Sequence, residues 1–271
     1  NEAGTPVEER IFGEGHQLRP TFFQPFGCEN VLVKGVTFTN APFWVMHPIK
    51  SNHVTVDGVT VKSHGPNNDG CDPEYAKNVH ITNCLFDTGD DCIAIKSGRN
   101  EDGRRVKIPS ENIIVENCEM KDGHGGVVMG SEISAGVRNV FVRNCKMDSP
   151  NLDRAIRIKT NTLRGGFVDG VYVKDVQVGQ VKEAVLKVNT HYGIYANQEG
   201  EFIPEIKNIY LENITVEKGG KYGLLIKGRE ATPVANINLK NVTIKGAEKP
   251  LEIEFAEEIN YSNTTINGQQ Y

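Results

Sequence analysis

The feature of this sequence that most constrains its fold is a short segment that recurs along most of the chain. Each copy alternates apolar or β-branched residues with polar ones, which is the period of a strand with one buried face. The eight clear copies are NVLVKGVTF (30–38), HVTVDGVTV (53–61), NVHITNCLF (78–86), NIIVENCEM (112–120), NVFVRNCKM (139–147), GVYVKDVQV (170–178), NIYLENITV (208–216) and NINLKNVTI (236–244). A weaker ninth copy, INYSNTTI, occupies 259–266.

The spacing of the copies indicates how they are arranged in space. A Gly, Asn or Asp precedes the central apolar residue of each copy, and these register marks fall at 35, 58, 83, 117, 144, 175, 213, 241 and 263. The shortest step is therefore 22 residues and the others are irregularly longer, as in a solenoid whose turns carry variable loops. A leucine-rich horseshoe would need Leu at fixed positions that here hold Val, Ile, Phe or Cys. We predict an all-β fold, a right-handed single-stranded parallel β-helix of about eight to nine coils, forming a single domain over 1–271.

Stacking of coils about 4.8 Å apart turns each register position into a row of side chains. Asn83, Asn117, Asn144, Asn213 and Asn241 are expected to form an amide ladder, either inside or at a turn, and Cys84, Cys118 and Cys145 an interior row that includes Val36 and Val59. The six cysteines contain no CxxC pair and no zinc spacing, so we interpret them as small buried hydrophobes rather than disulfides or metal ligands.

Composition excludes some classes of partner. The formal charge is −5 and no block of Lys and Arg is present, which argues against nucleic acid. No run of apolar residues approaches 18, and the start NEAGTPVEER has neither a basic nor an apolar leader region, so we expect no membrane span and no intact signal peptide in this chain. Oligomeric state stays open.

Charged residues follow the aligned strand in four consecutive copies. These residues are Asp69, Asp90, Asp91, His124, Arg157 and Lys159. Coiling would bring them together on one side of successive turns. Arg154 and Lys96 lie nearby in sequence and either add local positive charge or form a solvated rim. Single Asp and Gly residues are common in turns, but this convergence favours a site. Crowded carboxylates hold one proton while another stays ionised, which is the division of labour that glycoside hydrolysis needs.

Four motifs in this region resemble a known family. NNDGCD (67–72), GDDCIAIKSG (89–98), GHGGVVMGSE (123–132) and RIKT (157–160) are similar, in order, to the signature motifs of glycoside hydrolase family 28, the polygalacturonases. The resemblance extends from about Arg19 to the end and is strongest to bacterial and plant enzymes, including exo-acting ones. It implies hydrolysis of α-1,4-galacturonosyl linkages in pectin or polygalacturonate with inversion, by a secreted or periplasmic enzyme that needs no cofactor or metal.

The resemblance also implies roles for individual residues. Asp90 would be the general acid, Asp69 and Asp91 would hold and activate the attacking water, and His124 would maintain the protonation state of the acid. Arg157 and Lys159 would bind the galacturonate carboxylate, and Asn67 and Tyr192 would contact the sugar. The chain departs from the family's usual residues at Asn68 and Ala155. It also begins later than family members usually do, so we expect it to lack the family's N-terminal coils or cap.

Two other functions remain open on the sequence. A calcium-dependent pectate lyase shares the predicted coil, and the paired aspartates could bind Ca²⁺. A non-catalytic carbohydrate-binding β-helix is the other alternative. The two longest connections, 99–110 and 189–205, are expected to be irregular functional loops.

Overall fold

The chain forms a right-handed parallel β-helix, which confirms the predicted fold class. The structure, a computed structural model, describes residues 9, 13–15, 18–193 and 200–271. The first strands and the helix are β1 (Glu29–Lys34), β2 (Thr37–Thr39), β3 (Asn52–Asp57), β4 (Thr60–Ser63), β5 (Lys77–Thr82), β6 (Leu85–Thr88), β7 (Ile93–Ile95) and α1 (Asn100–Val106). The later strands are β8 (Ser110–Glu116), β9 (Glu119–Met120), β10 (Val127–Gly130), β11 (Val137–Arg143), β12 (Lys146–Asp148), β13 (Arg154–Lys159), β14 (Phe167–Gln180), β15 (Ala184–Asn189), β16 (Glu205–Lys218), β17 (Gly220–Lys227), β18 (Val234–Ile244), β19 (Ala247–Glu254), β20 (Ala256–Ile266) and β21 (Gln269–Gln270).

The repeated segments stack in the register that the sequence predicts. Strands β1, β3, β5, β8, β11, β14, β16, β18 and β20 pair in that order, each parallel to the next, within the described residues. Val54, Val79, Ile113 and Val140 are paired residues of successive strands, and all four are buried. The core is therefore a set of apolar rows parallel to the helix axis, and it continues without interruption through the nine coils.

The register marks are bends of the backbone. All nine marks have a left-handed conformation, with φ between 47° and 64°. Gly reaches this region without a Cβ penalty, and Asn and Asp are the residues that tolerate it next best, which explains why only these three types occupy the marks. A second left-handed residue lies five positions earlier in each coil, as at Asn139 before Asn144.

The side-chain rows agree with the predictions in most coils. Asn144 donates to Asn117 Oδ1 over 2.6 Å, but the ladder lies exposed at the bend rather than in the interior. Cys84, Cys118 and Cys145 are buried, and all six cysteines of the chain are free. The inclusion of Val36 in the interior row was wrong, because its side chain is 42% exposed in the first coil of the described part.

A second sheet places the chemistry-bearing residues. It contains β7, β10, β13, β15, β17 and β19, and isolated bridges from Met46 to Cys71 and from Cys71 to Ile93 continue it through the earlier coils. The 99–110 segment is not an irregular loop throughout, since it contains α1. Residues 194–199 of the other predicted loop lie outside the described residues. Among the described residues, no helix is long and apolar enough to cross a membrane.

Candidate active site

Coil register makes neighbours of residues that are far apart in the chain. Cys71 bridges to Ile93, so Asp69 and Asp91, which lie two residues before them, occupy adjacent coils at one level. The main-chain N–H of Gly70 donates to the carbonyl of Asp91 over 3.0 Å and fixes this alignment. A separation of 22 residues in sequence thus becomes a single step along the helix axis.

Three carboxylates converge at this level. One oxygen each of Asp69, Asp90 and Asp91 lies within 4.8 Å of the other two. Asp69 and Asp91 are buried, whereas the side chain of Asp90 is 17% exposed and faces the solvent side. The backbone N–H of Asp91 donates to Asp90 Oδ1 over 2.9 Å, which orients the Asp90 carboxylate. The structure therefore brings together the three aspartates that the sequence analysis selected.

Buried cations neutralise two of these carboxylates. Lys159 Nζ lies 2.6 Å from Asp91 Oδ2, and Arg157 Nη1 lies 3.6 Å from Asp91 Oδ1. Lys96 Nζ lies 3.5 Å from Asp69 Oδ2 and 3.2 Å from the fully buried Asp72. Because an unpaired buried charge is strongly unfavourable, these ammonium and guanidinium groups are what allow the acidic cluster to exist at this depth.

The environments of Asp69 and Asp90 push their pKa values in opposite directions. Burial raises the pKa of Asp69 to about 7, although Lys96 opposes the shift. Burial also acts to raise the pKa of Asp90, but the hydrogen bond from His124 and the charges of Lys159, His124 and Lys96 outweigh it and lower that pKa to about 2. Two carboxyl groups on adjacent coils thus differ in protonation near neutral pH.

His124 carries the proton of its pair with Asp90. Its Nδ1 lies 2.9 Å from Asp90 Oδ1, and this hydrogen bond raises the pKa of His124 above its usual value of 6.5. Without substrate the Asp90 carboxylate is therefore ionised, and the neighbouring imidazolium is the nearest proton donor. The acid role assigned to Asp90 stays a prediction, and it requires transfer of this proton.

A cavity of about 450 Å³ opens in front of the cluster. Seven of the eight predicted site residues line it, namely Asn67, Asp69, Asp90, His124, Arg157, Lys159 and Tyr192. Asp91, the eighth, is fully buried and lies behind this lining. The Arg157 and Lys159 cations lie 5.4 Å and 5.3 Å from the centre of the Tyr192 ring, so one aromatic face covers both.

Asn67 is held at the rim by a contact from an earlier coil. Arg19 Nη2 donates to Asn67 Oδ1 over 2.8 Å, and Arg19 Nη1 donates to the Pro66 carbonyl over 2.6 Å. The carbonyl oxygen of the Asn67 amide is therefore engaged by Arg19, and its NH₂ group is the part available to a ligand.

Several lining residues were not selected from the sequence. Trp44, Ser131, Glu132 and Asp153 line the cavity, and Lys96 and Arg154 belong to it rather than to a solvated rim. Strand register supports this place for Lys96, because Ile95 pairs with Met129 and the next residue along, Gly130, pairs with Lys159. Trp44 comes from an earlier coil without a recognisable motif, and its ring lies 4.4 Å from Lys96 Nζ.

Two groups of side chains in the described part have the spacing of metal ligands. One is the aspartate cluster itself, and the other consists of His64, Asp87 and Asp122. Calcium takes six to eight oxygen ligands, whereas Lys159 and Lys96 already contact two of the three aspartates. The aspartate cluster is therefore organised around protein cations, and a calcium ion would have to compete with them.

Comparisons with known proteins give a consistent family. A sequence profile described as "Glycosyl hydrolases family 28" matches residues 10–265. A probable polygalacturonase of Vitis vinifera is 28% identical over 261 residues, which are 94% of this chain and 51% of that protein. An endo-polygalacturonase of Pectobacterium parmentieri is 29% identical over 84% of this chain and 53% of that protein.

A solved structure shares the fold closely. The hyperthermoactive exopolygalacturonase of Thermotoga maritima superposes with a TM-score of 0.90 and 44% identity, over 100% of this chain and 60% of that one. The chain spans about half the length of the curated relatives it matches, 51% and 53% for the two above.

Proposed function

This chain belongs to glycosyl hydrolases family 28, and we propose that it hydrolyses the glycosidic linkages between galacturonate residues in polygalacturonate. The observation that carries the proposal is the convergence of Asp69, Asp90 and Asp91 within 4.8 Å at the wall of a cavity that also presents Arg157 and Lys159. Carboxylates supply the acid and base of glycoside hydrolysis, and the cations complement a uronate substrate. Polygalacturonases of the family are similar to this chain over most of its length.

In the proposed reaction, Asp90 protonates the oxygen of the leaving sugar. Its partly exposed carboxylate lines the cavity, and the His124 imidazolium passes it a proton along their 2.9 Å hydrogen bond as charge develops on that oxygen. Asp69 and Asp91 hold a water molecule for attack on the anomeric carbon. Asp69 must be ionised to accept the proton of that water, so a pKa of about 7 makes it a base poised near neutral pH.

The spacing of the carboxyl groups bears on the stereochemical outcome. Inversion generally accompanies carboxyl groups about 6.5–9.5 Å apart, and retention about 5–5.5 Å. One oxygen of each carboxylate here lies within 4.8 Å of one oxygen of the others, which is nearer to the retaining distance. We nevertheless propose inversion, because a third carboxylate is present and two can share the water while Asp90 acts as acid. Proton NMR of the first-formed anomer of the product decides between the two.

In this proposal Arg157 and Lys159 bind the substrate carboxylate. Arg157 and Lys159 line the cavity beside Tyr192, and both also contact Asp91. A uronate would therefore share these cations with Asp91 rather than meet unpaired charges. The same two contacts tie substrate binding to the position of the residue that holds the water.

The direct test compares release of reducing sugar from polygalacturonate by the wild type and by Asp90→Asn. We expect a loss of about 10²- to 10⁴-fold in kcat with the fold retained, the usual contribution of a general acid. Asp87→Asn is the matched control, because Asp87 lies three residues earlier and pairs with His64 outside the cavity. Equal activity of wild type and Asp90→Asn would refute the mechanism.

The mode of attack is proposed to be exo. The 44% identical structure is an exopolygalacturonase, whereas the Pectobacterium relative is an endo-enzyme at 29%. Early products from a galacturonate hexamer separate the two modes. Monomer alone supports exo action, and a ladder of dimers to tetramers supports endo action.

Calcium-dependent lyase action stays as the second candidate because of the spacing of the three carboxylates. Its products would be unsaturated and absorb in the ultraviolet, and their formation would stop with EDTA. We further propose that the protein acts outside the cytoplasm, where a pectic polymer would be met. Fractionation of the producing cells tests this location.

A further inference from the structure

A groove runs along the outer face of the larger sheet, away from the strands that carry the aspartate cluster. It consists of two adjoining cavities of about 450 and 240 Å³ that share Tyr210 and Glu212. Because one strand of each coil contributes to it, the groove is parallel to the helix axis and extends from β8 to β20. Its two walls are side-chain rows two residues apart on the same strands, which is the spacing of one sheet face.

Along the chain, one wall begins with an aliphatic side chain, continues with aromatic rings and ends with amides. Its side chains are Ile114, Phe141, Tyr172, Tyr210, Asn238 and Asn260, one from each successive coil. Phe141, Tyr172 and Tyr210 stack with centroids 5.0 Å apart at each step and with nearly parallel planes. Since the rings cover one another's faces, a ligand in the groove meets ring edges, phenol hydroxyls and amides. Phe141 and Tyr172 still have more than a third of their surface exposed.

The opposite wall is charged, with an excess of cations. Arg143, Lys174 and Lys240 contribute positive charge, Glu212 is the carboxylate among them, and Arg143 also pairs with Glu116 of the preceding coil. Lys174 and Lys240 share that one carboxylate, at 3.7 and 3.3 Å, and both ammonium side chains are more than half exposed. Three cations thus face two carboxylates, and this small positive excess is a local departure from a chain whose formal charge is −5.

We propose that this groove is a second, non-catalytic binding site for an anionic sugar chain. The proposal rests on the proposed function, because it takes the polymer cut in the cavity as the ligand held on the outer face. Cations repeated along the axis match carboxylates repeated along a uronate chain, and amides and ring edges suit sugar hydroxyls and C–H groups. Holding the polymer at a second place would keep it near the cavity between cleavage events.

The experiment measures affinity for long polygalacturonate by calorimetry, in an Asp90→Asn background that prevents turnover. Adding Lys174→Gln and Lys240→Gln should weaken binding about fivefold, since exposed charges contribute modestly one by one, and 0.5 M NaCl should weaken it further. Tyr172→Ala tests the aromatic wall independently and should weaken binding as well. The matched control is Lys245→Gln with Lys249→Gln, two similarly exposed lysines that do not line the groove.

The outcomes separate this proposal from the proposed function. Cleavage of a galacturonate trimer by Lys174→Gln/Lys240→Gln with Asp90 intact should equal that of the wild type, because a trimer needs only the cavity. A change in polymer affinity below twofold, or an equal loss in the control pair, would overturn the groove site. Sedimentation would also overturn the groove site if it showed that the wild type is a dimer and that the groove substitutions make it a monomer, because the groove would then be a contact between copies of the chain. Absence of trimer cleavage by the wild type would overturn the hydrolase function and leave the affinity comparison intact.

Discussion

At the scale of single residues, the site places Asp69 where its ionisation works against stability. Its carboxyl is buried, and burial raises its pKa from 3.8 to about 7. Between these two pH values the native state binds one proton more than the unfolded state does. The free energy of unfolding therefore falls as pH rises through this window and levels off above pH 7.

Replacement of Asp69 by Asn removes this proton-linked loss. We expect the stability of Asp69→Asn relative to the wild type to rise by about 2–4 kcal/mol between pH 4 and pH 8, since one pKa unit corresponds to about 1.4 kcal/mol. Urea unfolding at pH 4, 6 and 8 measures the difference. Asp87→Asn serves as the control, because it removes a carboxylate that is partly exposed and not buried. A constant offset across pH would show that Asp69 titrates normally.

In the proposed mechanism, Lys96 would determine the pH at which activity is lost on the acidic side. Its ammonium lies 3.5 Å from Asp69 and opposes the rise in the Asp69 pKa. Lys96→Met should shift that pKa upward by about 1 unit or more, so kcat/KM falls away at a higher pH than in the wild type. Lys96→Arg keeps the charge and should restore the wild-type profile. A pH profile identical in Lys96→Met and wild type would contradict Asp69 as the ionised base.

At the scale of elements, the left-handed bends explain both the repeat and its residue types. Asn144 has a φ of 51° and donates to Asn117 in the preceding coil. Asn144→Ala removes the amide but keeps a Cβ in the left-handed region, without the polar side chain that lets Asn tolerate it, whereas Asn144→Gly removes the amide and the Cβ together and leaves the backbone unstrained. We expect losses of about 2 kcal/mol and about 1 kcal/mol respectively in urea unfolding. Equal losses would mean that the amide bond, and not the backbone, selects Asn at this mark.

The repeat made the coil and most of the site predictable, because in a fixed register residues separated by one repeat in sequence become neighbours in space. Asp69 and Asp91 could be placed side by side from that argument alone. The register does not specify loops, which is why α1 was missed within 99–110, and why Trp44 has no signal in the sequence. The protonation states of Asp69 and Asp90 could not be predicted from the sequence either. They depend on the burial of Asp69 and on the His124 hydrogen bond, which side-chain packing determines and the repeat period does not.

At the scale of the whole molecule, a negative overall charge coexists with a cavity in which cations and carboxylates lie side by side. The chain has a formal charge of −5, and a polyanionic substrate would be repelled at long range. The cavity nevertheless gathers Lys96, Arg154, Arg157 and Lys159 against its carboxylates. Salt screens the long-range repulsion between exposed charges more than it screens short contacts at buried groups.

The two effects predict a maximum in activity with ionic strength. From about 10 mM NaCl to the physiological range, kcat/KM for polygalacturonate should rise severalfold as the repulsion between the chain and the polymer is screened. Above about 0.5 M it should fall as contacts with Arg157 and Lys159 weaken. A galacturonate trimer carries fewer charges than the polymer and should show a smaller initial rise, which makes it the internal control. A steady fall for the polymer from the lowest salt onward would mean that the cations of the cavity and the groove, rather than the overall charge of −5, dominate the approach of the substrate.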